Sequence, residues 1–131
     1  MQEVERFVEL LTGDPKTPIH WQTYHDSNKS KNDDLAKAFY GPYATVAPRL
    51  FAAQQDNLGV YLTVNETDGK RRLASHIVSC RAVFIDGDDQ DLPTEWGCYP
   101  HIIVARNPRH WHAYWLIEPT NDFETWQRIN Y

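Results

Sequence analysis

The stretch Arg81-Ala82-Val83-Phe84-Ile85-Asp86-Gly87-Asp88-Asp89 constrains the fold most, because an apolar run of strand type passes directly into a knot of carboxylates. Side chains of a strand point alternately to two faces, so Asp86 and Asp88 share one face and can converge on a single cation. The same residues also suit a turn, since Asp-Gly is a frequent turn pair and carboxylates are ordinarily solvated. A second strand-like run, His110-Trp111-His112-Ala113-Tyr114-Trp115, follows later in the chain and sets histidines among large apolar residues.

At 131 residues the chain is sized for one domain, expected over residues 1–131. Apolar residues at 41% and charged residues at 24% suit a globular protein and argue against disorder. No run reaches the roughly 18 apolar residues of a membrane span. The acidic start Met1-Gln2-Glu3-Val4-Glu5-Arg6 lacks the pattern of a signal peptide. A cytoplasmic location with no membrane partner is the expectation. Cys80 and Cys98 lack metal-ligand spacing and are expected to be buried thiols.

A net charge of −5 argues against a protein that coats nucleic acid. It leaves room for an enzyme acting on nucleic acid, whose metal site is itself acidic until cations bind. Lys29 with Lys31 and Lys37, then Lys70-Arg71-Arg72, then Arg106 with Arg109 are the basic patches, each a candidate for substrate contact or simply solvated surface.

Along the chain, Val4, Phe7, Val8 and Leu11 predict a helix over 2–12, stopped by Gly13-Asp14-Pro15. Ile19 to Tyr24 reads as a strand with His20, Gln22 and Tyr24 on one face. Residues 26–34 read as a polar loop. Leu35 to Gln55 reads as helical in two pieces broken at Gly41-Pro42. Val60 to Val64 is an expected strand, followed by the loop Asn65 to Gly69. Residues 73–79 suit either a short helix or the beginning of the next strand. After the acidic knot an irregular stretch over 90–100 leads to a strand at 101–105. A turn at Arg106-Asn107-Pro108-Arg109 then returns the chain along His110 to Ile117. A final helix over 122–129 is expected, capped by Asn121 or Thr120. This is an α+β chain with a mixed or antiparallel sheet and flanking helices.

Carboxylates on one strand can hold divalent cations that position a triphosphate, activate a hydroxyl and neutralise a leaving pyrophosphate. A donor on a neighbouring strand helps such a site, and either ring nitrogen of His112 can supply one. His110, His112 and Tyr114 share a face, opposite Trp111, Ala113 and Trp115.

Three stretches carry a resemblance: Gly59-Val60-Tyr61-Leu62-Thr63-Val64-Asn65-Glu66-Thr67-Asp68-Gly69, the Arg81 to Asp88 strand, and Pro100-His101-Ile102-Ile103-Val104 leading through Asn107-Pro108 to Trp111-His112-Ala113-Tyr114-Trp115. In these the chain resembles the archaeo-eukaryotic-type primase-polymerases, in particular the RepB-like primases of plasmids and phages. The resemblance implies an RRM-like primase core, of which this chain is expected to be the front portion. It implies Asp86 and Asp88 as ligands of Mg²⁺ or Mn²⁺ and His112 as the histidine that holds the triphosphate. Asn65, Arg106, Asn107, Arg109, His110 and Tyr114 are the candidate nucleotide- and template-binding residues. Nucleoside triphosphates and a single-stranded DNA template are the implied partners, with a helicase either as partner or fused in a parent protein. The family's turn before the histidine usually reads Ser-Ser-Pro-Gly-Arg-Trp-His, where this chain has Arg106-Asn107-Pro108-Arg109-His110-Trp111-His112. Its third metal-binding aspartate is expected on a later strand, past Tyr131; Asp89 and Asp91 do not occupy the matching position.

Two other readings compete. His110-Trp111-His112 is also a His-hydrophobic-His triplet of the kind that holds one metal in nicking replication initiators, with Tyr131 as nucleophile. A primase fragment that binds nucleotide or nucleic acid without turnover is the second.

Overall fold

The alternating strand and helix patterns resolve into an α+β protein with antiparallel sheets. A computed structural model describes residues 2–25 and 37–130 and divides the chain into two compact units, residues 1–78 and 79–131.

The first unit is built on strand β1 (Ile19–His25), flanked by β2 (Lys37–Gly41) and β3 (Leu58–Leu62), both antiparallel to it. Ile19 and Trp21 face a core completed by Val8 of helix α1 (Gln2–Thr12) and by Tyr43, Val46 and Leu50 of helix α2 (Tyr43–Gln55). The indole of Trp21 is 2% exposed, and its N–H is satisfied by the Gly41 carbonyl at 3.1 Å, which removes the penalty of burying a donor. Helix α1 ends as the sequence predicts, with Gly13 at φ +89° donating its N–H to the Glu9 carbonyl. A two-residue strand, β4 (Glu66–Thr67), lies within the loop expected at 65–69. A 3₁₀ turn at Ala74–His76 then leads into β5 (Ile77–Asp88), so residues 73–79 hold both of the expected alternatives.

Two expectations shift. Residues 37–41 form a strand rather than a helix: Phe39 pairs with Trp21 across β1 and packs on the core, so sheet pairing outweighs a helical pattern too short to bury a face of its own. Strand β3 begins two residues earlier than expected because Asn57 takes a left-handed φ of 61° and completes the turn there. Leu35 and the expected loop at 26–34 lie outside the described residues.

The second unit centres on β7 (His110–Thr120), which lies between β5 and β6 (Ile102–Asn107), antiparallel to each. Pro108-Arg109 forms the tight turn between β6 and β7. Neither residue has positive φ, so the turn cannot be of the primed types that match sheet twist. The register instead slips between Ala105 and Asn107, and this bulge at Arg106 takes up the mismatch. Helix α3 (Phe123–Asn130) covers the outer edge of β5: Asn130 accepts the Phe84 N–H at 2.8 Å and Trp126 donates to the Ala82 carbonyl at 2.8 Å. Its cap is Asp122, not Asn121 or Thr120; the Asp122 carboxylate accepts from the Thr125 N–H and hydroxyl. Cys80 is buried as expected, whereas Cys98 is exposed. Among the described residues no helix is long and apolar enough to cross a membrane.

Candidate active site

The candidate residues Asp86, Asp88, His110, His112 and Tyr114 converge because of one pairing register. Strand β5 runs antiparallel to β7 with Phe84 opposite Tyr114, Asp86 opposite His112 and Asp88 opposite His110. The Phe84 N–H and the Ala82 carbonyl bond outward to α3, so even-numbered residues of β5 direct their backbone groups away from β7. Asp86/His112 and Asp88/His110 are therefore non-hydrogen-bonded pairs, the class in which facing side chains come closest. Accordingly, His112 Nε2 lies 3.2 Å from Asp86 Oδ1, and His110 Nε2 lies 3.2 Å from Asp88 Oδ1 and 4.0 Å from Asp89 Oδ1.

Tyr114 extends this row. Its hydroxyl is 3.3 Å from His112 Nδ1, and burial, followed by the nearby Asp86 charge, pushes the phenol up to about 12. The hydroxyl thus stays protonated near neutrality. A carboxylate oxygen accepts and a phenol O–H can donate, so the two contacts match the His112 tautomer that carries a proton on Nε2 toward Asp86 and receives the Tyr114 O–H at Nδ1. Together they hold the ring orientation.

The opposite face fixes the backbone beneath the carboxylates. Trp111 lies over Gly87, and its N–H donates to the Gln90 carbonyl at 2.9 Å. Trp96 meets Trp111 and Trp115 edge-on at 5.7 and 5.6 Å between ring centres, tying the irregular stretch to the sheet. Beyond the strand, Asp89 adopts φ 55°. Arg109 then grips the turn, donating to the Asp89 carbonyl at 2.6 Å and to Asp91 Oδ1 at 2.9 Å.

The remaining candidates fall as follows. Asn107 Oδ1 accepts the Arg109 N–H and lies 3.0 Å from His110 Nδ1, so it braces the turn and the first histidine. Arg109 is committed to Asp91 and to backbone, and Arg106 is exposed at the bulge. Asn65 belongs to the first unit, between β3 and β4. Tyr131 lies outside the described residues. A mainly apolar cavity of about 150 Å³ lined by Val83, Ile117, Trp126 and Ile129, with Thr120, Asp122 and Thr125, lies against α3 rather than at Asp86 and Asp88.

Sequence reasoning missed the one-to-one matching of carboxylates and histidines, although a signal was present: two Asp and two His residues, each pair two apart, on strands that could pair. It also missed Trp96 as the support beneath the site.

Asp86 and Asp88 are respectively 72% and 77% exposed, and the imidazoles engage only their Oδ1 atoms. Carboxylate oxygens on such exposed side chains are hard ligands, which suits Mg²⁺ or Mn²⁺ bound mainly by oxygen. Among the described residues no three His, Cys, Asp or Glu side chains form a ready ligand set, so such a cation would complete its shell with water or phosphate oxygens. No protein-family model matches this chain, nor does any curated protein or solved structure.

Proposed function

We propose that this chain carries a metal-dependent nucleotidyl-transfer site of the primase-polymerase kind, serving plasmid or phage replication, with the second-unit sheet as part of an RRM-like core. The single observation that carries the reading is the register that sets Asp86 against His112 and Asp88 against His110 on one exposed face. Asp86 and Asp88 would hold Mg²⁺ or Mn²⁺. Once bound, the cation supplies charge neutralisation for a triphosphate and lowers the pKa of an attacking hydroxyl. The His112 Nε2–H, which meets Asp86 in the free protein, is the donor that would meet a triphosphate oxygen. Tyr114 holds that ring in the donating tautomer. The substrates would be nucleoside triphosphates on a single-stranded DNA template, with a helicase as a further partner. Most of the rate would come from positioning the 3′-hydroxyl in line with the α-phosphate.

The test is synthesis of radiolabelled primers on single-stranded DNA by the wild type and by Asp86→Ala with Asp88→Ala. Product from the wild type and none from the variant supports the reading. Equal product from both, or none from either, contradicts catalysis by this chain.

A further inference from the structure

In the first unit, the sheet face opposite the core carries a separate group of polar and aromatic side chains. Alternation along β1 places His20, Gln22 and Tyr24 there, and the pairing adds Tyr40 opposite His20 and Tyr61 opposite Gln22. Tyr24, Tyr40 and Tyr61 are 42%, 46% and 44% exposed, which sets three large rings at the surface of one small sheet. Tyr24 and Tyr61 meet edge-on at 5.4 Å between ring centres.

Arg72 is laid onto this face. Its Nε donates to Thr63 Oγ1 at 3.1 Å, and its Nη1 donates to Gln22 Oε1 at 3.1 Å and to the Tyr24 hydroxyl oxygen at 3.0 Å. Those neutral acceptors use three of the five guanidinium N–H groups and fix the plane without cancelling its charge. Among the described residues both Nη2 hydrogens are uncommitted and Arg72 forms no ion pair. The His20 imidazole is held below its usual range, first by burial and next by the Arg72 charge, with the Asp68 carboxylate acting in the opposite direction.

We propose that this face binds single-stranded nucleic acid, with Arg72 meeting a backbone phosphate through Nη2 and Tyr24 and Tyr61 offering rings to unstacked bases. A fixed cation beside exposed rings is the combination that single strands require, whereas a duplex hides its base faces. The inference deepens the polymerase reading by naming the surface that would meet template, and its test needs neither nucleotide nor metal.

The experiment is fluorescence anisotropy of a labelled oligothymidylate of about 12 nucleotides, a length within single-site spans, measured in EDTA across a salt series. The wild type is expected to bind, and Arg72→Met to bind about tenfold more weakly, with the slope of log affinity against log salt reduced by about 0.7. Arg72→Lys should keep the wild-type slope because it keeps the charge. Tyr61→Ala should weaken binding at least about fivefold with the slope unchanged, as loss of stacking predicts. Arg128→Met, an exposed change on α3, should bind as the wild type does. Circular dichroism establishes that each variant is folded, and Tyr61→Ala carries the test should Arg72→Met unfold. Absence of binding by the wild type, wild-type affinity in Tyr61→Ala, or equal affinity for a duplex would overturn the proposal. Such a result would leave primer synthesis by the Asp86 and Asp88 site to stand or fall on its own assay.

Discussion

Trp111 occupies the space that any side chain at Gly87 would need: a Cβ built there overlaps the indole atoms Cε2 and Cζ2. The residue between the two aspartates is therefore glycine for steric reasons, since Gly87 is not among the residues with positive φ. Gly87→Ala is expected to cost about 1–3 kcal/mol through overpacking. In a Trp111→Ala background the same change should cost almost nothing. Chemical denaturation of the four proteins of this cycle measures the coupling, and an equal cost in both backgrounds would refute the contact.

The Asp86–His112 pair is solvent-exposed, so it contributes little to stability whatever it contributes to function. Asp86→Asn and His112→Ala should each shift unfolding free energy by less than about 1 kcal/mol, the range of exposed ion pairs. Both should nevertheless abolish primer synthesis. A large loss of stability in urea denaturation would instead mark the pair as structural.

Tyr114 links stability to alkaline pH. Its folded pKa near 12 stands above the ordinary value of 10, so between these values the unfolded chain loses a proton that the folded chain retains. The contribution is fully present below pH 10 and is lost as pH rises toward 12, by roughly 2–3 kcal/mol over the window. Denaturation of wild type and Tyr114→Phe at pH 8 and pH 11.5 should show a smaller alkaline loss in the variant. Identical losses would exclude Tyr114 as the source.

Asp122 caps α3, and its bonds from the Thr125 hydroxyl and then the Thr125 N–H hold its carboxyl below the usual range. Its stabilising effect is present above the unfolded value and disappears as pH falls through the lower folded value. Asp122→Ala should therefore lower the thermal midpoint at neutral pH, with the deficit narrowing in acid. Asp122→Asn, which retains an accepting oxygen, should lose less. A deficit that does not change with pH would contradict this role for the carboxylate.

Elements with their own local signal were legible in the sequence. The apolar spacing of Val4, Phe7, Val8 and Leu11 predicts α1, and Asn107-Pro108-Arg109 marks the β6–β7 turn. Residues 37–41 were not legible, because what makes them a strand is Phe39 lying opposite Trp21, a long-range contact. The same limit applied at the candidate site. Alternation alone placed Asp86 with Asp88 and His110 with His112, but the matching of each carboxylate to one imidazole depends on register, which α3 helps define by bonding the outer edge of β5. Arg72 was visible only as part of a basic run; two of its three neutral partners, Gln22 and Tyr24, come from β1, far away in sequence.

The central claim is that Asp86 and Asp88 hold a divalent cation together with a triphosphate, and titration of Mn²⁺ by electron paramagnetic resonance tests it without requiring turnover. The wild type should take up Mn²⁺ more tightly when a deoxynucleoside triphosphate is present, beyond what the nucleotide binds alone. Asp86→Asn with Asp88→Asn should abolish that uptake, and His112→Ala should remove the enhancement by nucleotide. Identical Mn²⁺ titrations for the wild type and the double variant would contradict the account.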